Sequence, residues 1–351
     1  MVLEPVLTRI DPLFSPRPWG ARSLAPFFPE KTHLPEPLGE AWLTSFDSPV
    51  ATGPFAGRPL GESWHHMPPD WRGTRSGRYP EFPLLAKFLF PNEKLSIQVH
   101  PDDSYAKEYE RQTGGRGKTE MWHIVSAKPG AELLIGLKAS VTREAFEQGI
   151  EQHTVEELLV RYAVRAGETY FVEAGTPHSI CPGLIVCEIQ EYSDLTYRVY
   201  DYGRVDAAGK SRELHVEKAL AVTRFAGTRS GRISPLSLHS PDANKHLLAA
   251  CAFFATERWE CDRTTAVEGD ATEFQLLVVL NGRGTLHDSE SAHAYRPGQA
   301  WFLPASLEIA LLQPAEPTSL LRVTVPDPQL LAHQLESQGF EVDAVSRVVM
   351  E

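Results

Sequence analysis

The sequence predicts a mainly β protein made of two barrels with a few short helices, and three observations carry that prediction. Short apolar stretches of strand length recur along the whole chain, punctuated by glycine and proline turns. Helical periodicity is confined to a few short windows. The chain also echoes itself: Gly167–His178 (GETYFVEAGTPH) lies over Gly298–Ile309 (GQAWFLPASLEI) without a gap, each copy being a glycine, a run of strand formers and a tight turn. The first copy ends in His178 and the second in Ile309, so if these are equivalent strands, only the first can hold a metal at that point.

Taken in order, residues 1–80 are rich in proline, glycine and tryptophan, which favours short strands and ordered loops. LLAKFLF from Leu84 and LSIQVH up to His100 read as two strands around the turn Pro91-Asn92-Glu93-Lys94. Trp122–Val125 and Ala131–Leu137 are strand-like. A helix is expected over residues 142–162, where Thr154–Glu157 makes a capping box and Val155, Leu158, Leu159 and Tyr162 fall at helical spacing. Strands return at Thr169–Glu173, Leu184–Gln190 and Thr196–Tyr202, and residues 213–224 read as a short helix. The polar, breaker-rich stretch 226–240 is the linker, giving units of 1–228 and 229–351. Beyond it strands are expected at 248–256, 274–280, 299–304, 308–312 and 319–325, with a closing helix near 328–338.

Charge and composition narrow the function. The 351 residues carry 34 − 46 = −12 charges, which argues against a nucleic-acid surface, and 42% hydrophobic residues suffice for two cores. Cys181, Cys187, Cys251 and Cys261 make neither a disulfide framework nor a C-x-x-C pair, as expected in a reducing compartment. MVLEPVLTRIDP lacks the pattern of a secretion leader, and no window resembles a membrane span, so the expectation is a cytoplasmic protein.

The chemistry concentrates in four places. On a strand, Ser96, Gln98 and His100 share one face, opposite Leu95, Ile97 and Val99. In Gly117-Lys118-Thr119-Glu120, Lys118 and Glu120 face the same way, ordinarily as a surface ion pair; a phosphate loop would need glycine at position 112, which is Gln112. His178 follows the turn Gly175-Thr176-Pro177. Together Gln98, His100, Glu120 and His178 form a nitrogen and oxygen set suited to a divalent metal, and without thiolates a zinc ion would be catalytic, with an open position. Glu188 and Gln190 share a strand face, and Arg198 on the next strand either pairs with Asp194 or Asp201 or holds an anion.

KFLFPNEKLSIQVHPDD, GKTEMWHIVSAKPGAE, AGTPHSI and EIQEYSDLTYRVYDYGR, in this order, closely resemble the type I phosphomannose isomerase family of metal-dependent cupins. The resemblance covers residues 15–225 strongly, including GEAW at 39–42 and SPVATGPFAG at 48–57, and the last third more loosely. It implies two cupin-like jelly-roll barrels, the second degenerate and metal-free. It implies one zinc ion per chain on Gln98, His100, Glu120 and His178, with Arg198 as catalytic arginine and Lys118 as active-site lysine. Lys87 and Ser96 would contact substrate or phosphate, with Lys87 and Lys118 as the phosphate's cationic partners. Glu188 is the first candidate for proton transfer, a metal-bound hydroxide or another carboxylate serving equally well. The implied reaction interconverts mannose 6-phosphate and fructose 6-phosphate through an enediol, in a monomer or small homo-oligomer with no nucleic-acid or membrane partner. The alternatives are a non-catalytic, metal-dependent sugar-phosphate binding or regulatory cupin, or another cupin enzyme such as an iron oxygenase. Two positions depart from the family pattern: Glu173 replaces a usual proline, which would bring a second carboxylate near His178, and His123 replaces a common tyrosine.

Overall fold

The structure, a computed structural model, describes residues 3–205 and 209–350. In chain order its strands are β1 (Thr8–Ile10), β2 (Leu13–Ala21), β3 (Leu38–Trp42), β4 (Leu84–Leu89), β5 (Ile97–Val99), β6 (Glu120–Ala127), β7 (Glu132–Leu137) and β8 (Leu159–Ala163). There follow β9 (Thr169–Val172), β10 (His178–Ile180), β11 (Leu184–Glu191), β12 (Tyr197–Tyr200), β13 (Gly231–Ile233), β14 (Leu236–Leu238), β15 (Asn244–Ala250) and β16 (Ala255–Cys261). The last are β17 (Thr265–Glu268), β18 (Gln275–Asn281), β19 (Gly284–His287), β20 (Ala292–Tyr295), β21 (Ala300–Leu303), β22 (Ile309–Pro314) and β23 (Thr318–Thr324). Helices are short, with Pro328–Ser337 and Arg143–Glu151 the longest among the described residues. None is long and apolar enough to cross a membrane.

Side-chain alternation along the strands builds the layers. In β4, Leu84, Ala86 and Phe88 enter a central core while Lys87 and Leu89 turn to the opposite face, and β11 does the same with Cys187 and Ile189 against Val186 and Glu188. The central core lies between two seven-stranded sheets, β13-β9-β6-β11-β4-β3-β2 and β1-β21-β18-β23-β16-β15-β14. Phe88, Phe171 and Ile189 of the first and Leu276, Phe302 and Val323 of the second belong to it, each fully buried apolar side chain worth about 1.5–3 kcal/mol. Behind the first sheet lies the five-stranded sheet β12-β5-β10-β7-β8, whose Leu133, Ile135 and Ile180 cluster with Trp122, Ile124 and Tyr170. Behind the second lies the four-stranded sheet β17-β22-β19-β20, whose Val267, Leu286 and Leu312 cluster with Leu277, Val279 and Trp301. Phe146 and Ile150 from the helix Arg143–Glu151, with Ala219 and Leu220 from the helix Val216–Val222, cover the outer face of the five-stranded sheet.

The two halves share one strand order. The run β9-β6-β11-β4-β3-β2 matches β21-β18-β23-β16-β15-β14, and β5-β10-β7-β8 matches β17-β22-β19-β20. The echoed segments therefore occupy matching places, and both open on a glycine in the left-handed region, Gly167 at φ 88° and Gly298 at φ 84°. A Cβ on Gly298 would lie 2.7 Å from the Phe28 ring. The edge strands are exchanged: β13 pairs with β9, and β1 pairs with β21. The expected linker thus contains two strands, β13 and β14, one in each seven-stranded sheet.

Three local expectations are corrected. The helix stops at Glu151, capped at its start by the Thr142 hydroxyl, which accepts from Ala145 N at 3.2 Å. Thr154 makes no side-chain cap; a single 3-10 turn follows it, and Leu159–Ala163 is the strand β8, with Val160 and Tyr162 half-buried and Arg161 and Ala163 exposed, a period of two overriding the helical spacing. The strand expected at 248–256 is broken by a turn, closed by Cys251 N donating to Phe254 O at 2.8 Å. Leu95 parts company with Ile97 and Val99, because β5 begins only at Ile97; Leu95 joins the inner cluster and the other two join the outer one.

Candidate active site

The chemistry lies between the first seven-stranded sheet, on its face turned away from the central core, and the five-stranded sheet behind it. Strand pairing sets Gln190 opposite Glu120, Glu188 between Trp122 and Lys87, and His178 opposite Gln98. Residues far apart in sequence are thereby brought together on two packed sheets. Gly175, in the left-handed region at φ 85°, turns the chain after β9, and its N–H donates to the carbonyl of His100 at 2.8 Å, drawing His178 alongside His100.

His100, Glu120 and His178 are each buried, and one ligand atom from each lies within 4.8 Å of the others. His178 Nε2 is 3.4 Å and His100 Nε2 3.8 Å from Glu120 Oε1, and the two imidazole centroids are 4.8 Å apart. Each ring is oriented from behind: His100 Nδ1 bonds the Leu195 carbonyl and His178 Nδ1 the Thr176 carbonyl, both at 2.8 Å. A carbonyl only accepts, so both rings carry their proton on Nδ1 and leave Nε2 with a free lone pair. Burial, reinforced by the Lys118 charge, holds the His100 pKa well below its ordinary value, and burial brings His178 down to about 4. Gln98 lies beside them, its side-chain nitrogen 3.2 Å from His178 Nε2, and turning the amide over presents its oxygen instead.

Above this cluster is a cavity of about 420 Å³. Lys118 Nζ lies 2.7 Å from Glu120 Oε2 and 3.0 Å from Glu188 Oε1. Burial alone would lower the Lys118 pKa, but the two carboxylates hold it above its ordinary value. Lys87 Nζ is 3.6 Å from Glu188, 3.9 Å from Asp194 and 4.0 Å from Glu40. Burial, then repulsion from Glu120, pushes the Glu188 pKa up. Ser96 is buried and lines the same cavity.

Arg198 lines the cavity with no carboxylate partner among the described residues: Nη1 donates to the Glu213 carbonyl at 2.8 Å, and its buried Nε has no hydrogen bond there. Burial, with Arg212, Arg204 and Arg17 nearby, lowers its pKa. Asp201, which composition offered as a partner, instead pairs with Arg204 and Arg212.

The structure brings together all nine residues expected from the sequence: Lys87, Ser96, Gln98, Lys118, Glu120, Glu188 and Arg198 line the cavity, and His100 and His178 form the cluster beneath it with Glu120. The cavity also contains Arg17, Trp19, Glu40, Trp122 and Arg212, which sequence reasoning did not single out, and Asp194, which it offered only as a partner for Arg198. Trp122 stood two residues from Glu120 on a strand and could have been placed on the same face by alternation alone; Arg17 and Glu40 come from β2 and β3, whose approach is tertiary. Glu173 serves elsewhere: it pairs with Arg224 at 2.6 Å and accepts from Arg229 N at 3.0 Å, tying down the segment before β13. His123 turns to the other face of β6, where Nδ1 meets the Thr169 hydroxyl at 3.0 Å.

Two family models match the chain: "Phosphomannose isomerase type I, catalytic domain" over residues 7–120, and "Mannose-6-phosphate isomerase, cupin domain" over residues 243–312. The mannose-6-phosphate isomerase ManA of Bacillus subtilis is 34% identical over 88% of this chain and 95% of its own length. A crystal structure of the mannose 6-phosphate isomerase from Bacillus subtilis superposes with a TM-score of 0.81 at 32% identity, covering 91% of this chain and 99% of that one. A mannose 6-phosphate isomerase solved with zinc and yttrium shares the fold, with a TM-score of 0.69 at 15% identity over 92% of this chain and all of that one, 100%.

Proposed function

The chain belongs to the type I phosphomannose isomerase family, and from that premise we propose that it is a zinc-dependent isomerase interconverting mannose 6-phosphate and fructose 6-phosphate through an enediol. The observation that carries the reading is the His100, Glu120 and His178 cluster beneath a cavity that also holds a carboxylate, two lysines and an arginine without a carboxylate partner. The residues fit a metal: His100 Nε2 and Glu120 Oε1 are buried acceptors with no hydrogen bond, an arrangement that costs free energy unless something positive meets them. Two neutral imidazoles, one carboxylate and the Gln98 amide oxygen suit zinc, one ion per chain. When bound, the ion supplies positive charge for an oxyanion developing on the sugar.

The chain's own groups account for the rest. Moving a proton from C2 to C1 needs a base whose conjugate acid can return it, and a carboxyl with a raised pKa is closer to balance for that exchange. Glu188 has that property and is held between Lys87 and Lys118. Arg198 supplies donors to the anionic enediol. Lys118 is deeply buried against Glu120 and Glu188, so we assign the phosphate to the more exposed guanidinium groups of Arg17 and Arg212 along the same cavity, which keep further N–H donors beyond their pairs with Glu40 and Asp201, with Lys87 and Ser96 touching the sugar.

The matching strand orders support two cupin barrels, residues 1–228 and 229–351, with edge strands exchanged between them. Carrying the strand registers across, Lys87, Gln98, Glu120, His178 and Glu188 correspond to Glu257, Glu268, Gln275, Ile309 and Arg322. The His178 imidazole is lost to Ile309, and the Glu120 carboxylate becomes the Gln275 amide. Arg322 Nε donates to Gln275 Oε1 at 2.6 Å and Nη1 to Glu257 Oε1 at 2.9 Å, a built-in cation where the first barrel would hold a metal. The second barrel is on this reading structural and metal-free. Four free, buried cysteines agree with a cytoplasmic enzyme acting as a monomer or small homo-oligomer.

A coupled assay for fructose 6-phosphate, run on the protein as purified, after chelation and after zinc is restored, tests the reading. Turnover lost and regained is expected; folded, zinc-loaded protein without turnover would exclude the isomerase.

A further inference from the structure

We infer that the indole N–H of Trp122 is a substrate-binding donor that receives a hydroxyl oxygen of the phosphosugar. The inference rests on the isomerase reading and adds a residue to its recognition machinery.

Alternation along β6 puts Trp122 on the face of Glu120, and pairing puts it directly across from Glu188. The ring is 1% exposed, lines the cavity and stands edge-to-face on the His178 imidazole, with centroids 5.3 Å apart and planes at 73°. It is therefore held rigidly beside the metal cluster. Its Nε1 is buried and has no hydrogen-bond partner among the described residues. Buried indole N–H groups normally have one, because an unmet donor pays its desolvation without return.

The kind of partner follows from the chemistry of the group. Of the other unmet atoms at this site, His100 Nε2 and the Glu120 oxygens are acceptors that a metal ion satisfies, Glu188 Oε1 lies beside the two lysines, and Arg198 Nε is a donor already assigned to the anionic enediol. An indole N–H is only a donor, so no cation can satisfy it. It needs an oxygen lone pair, and each sugar hydroxyl offers one while giving its own proton to a neighbour such as Glu188. Trp71 and Trp301 share the unmet N–H, but neither lines this cavity. In the second half the register places Leu277 where Trp122 stands, so the donor is lost together with the metal set.

The test is Trp122→Phe in the zinc-loaded protein, which keeps an aromatic ring against His178 and removes the donor. The probes are mannitol 6-phosphate, which cannot be isomerised, and its single-deoxy derivatives, read as inhibition constants beside zinc affinity and melting temperature. W122F should weaken mannitol 6-phosphate roughly tenfold, with zinc affinity unchanged, and one deoxy derivative should bind wild type and variant alike. A variant that binds every probe as wild type does, or weakens all of them equally, overturns the inference. If W122F does not fold, indole 15N–H spectra of the wild type decide: the signal in contact with the His178 ring must move when mannitol 6-phosphate binds, and its standing still overturns the inference. An inactive wild type would instead remove the isomerase reading, so the two failures are distinguishable.

Discussion

The ammonium of Lys118 lies 2.7 Å from Glu120 Oε2, so a permanent positive charge sits against a carboxylate of the proposed metal set. Without metal this charge compensates Glu120; with metal it repels the ion. Lys118→Met should therefore tighten zinc while lowering turnover. It should also leave Glu120 and Glu188 buried without their cation, destabilising the metal-free protein by about 3–5 kcal/mol. Melting curves with and without zinc check this: the gap between them should widen in the variant, and an unchanged gap would show that Lys118 does not couple to the metal.

Among the described residues Arg198 has no carboxylate to neutralise it, which leaves its charge available to substrate. Arg198→Lys should lower kcat/KM about 10²–10³-fold, the scale of losing one aligned oxyanion donor. Steady-state kinetics at matched zinc loading is the measurement, and zinc affinity should stay at the wild-type value.

Glu188→Gln separates proton transfer from charge balance. If Glu188 moves the proton, kcat should fall by about 10²–10⁴ and exchange of solvent deuterium into the product should fall in step. Normal deuterium incorporation in the variant would assign the proton to another group.

The Arg322 guanidinium bridges Gln275 and Glu257 in the second half of the chain. Arg322→Met should destabilise the protein by roughly 1–3 kcal/mol, since it leaves largely buried acceptors unpaired, while kcat per folded molecule stays unchanged. Chemical denaturation paired with the isomerase assay reads both.

His123 supplies a pH dependence. Burial lowers its pKa from 6.5 to about 3, so the folded protein holds it neutral while the unfolded chain takes up a proton below about pH 6.5. Stability from this group is fully present above that pH and is lost as the pH falls towards 3. Near pH 4.5 the loss is roughly 2–3 kcal/mol, and His123→Gln should flatten that part of the acid-denaturation profile.

Much of the site was legible because a strand has a period of two. That period alone sets Gln98 with His100, Lys118 with Glu120, and Glu188 with Gln190, and it separates Phe88 from Lys87. It failed where the chain leaves ideal geometry: Leu95 lies before β5 begins, and Leu159–Ala163 satisfied helical spacing while belonging to a strand. Propensity and spacing are local, whereas β8 exists because β7 is beside it to pair with.

By itself the sequence determined the β class, the repeated glycine-strand-turn unit and the donor types of a nitrogen and oxygen metal site. These depend on side-chain chemistry and on periodicity within a few residues. Only the tertiary structure decided which charges are compensated. Whether Lys118 faces solvent, a phosphate or Glu120, whether Arg198 or Arg204 meets Asp201, and whether Glu173 approaches His178 or Arg224 are questions of distance between segments remote in the chain. Strand pairing and the exchange of β1 and β13 between the sheets set those distances, and an ion pair falls off too steeply with distance for residue identity to reveal its partner.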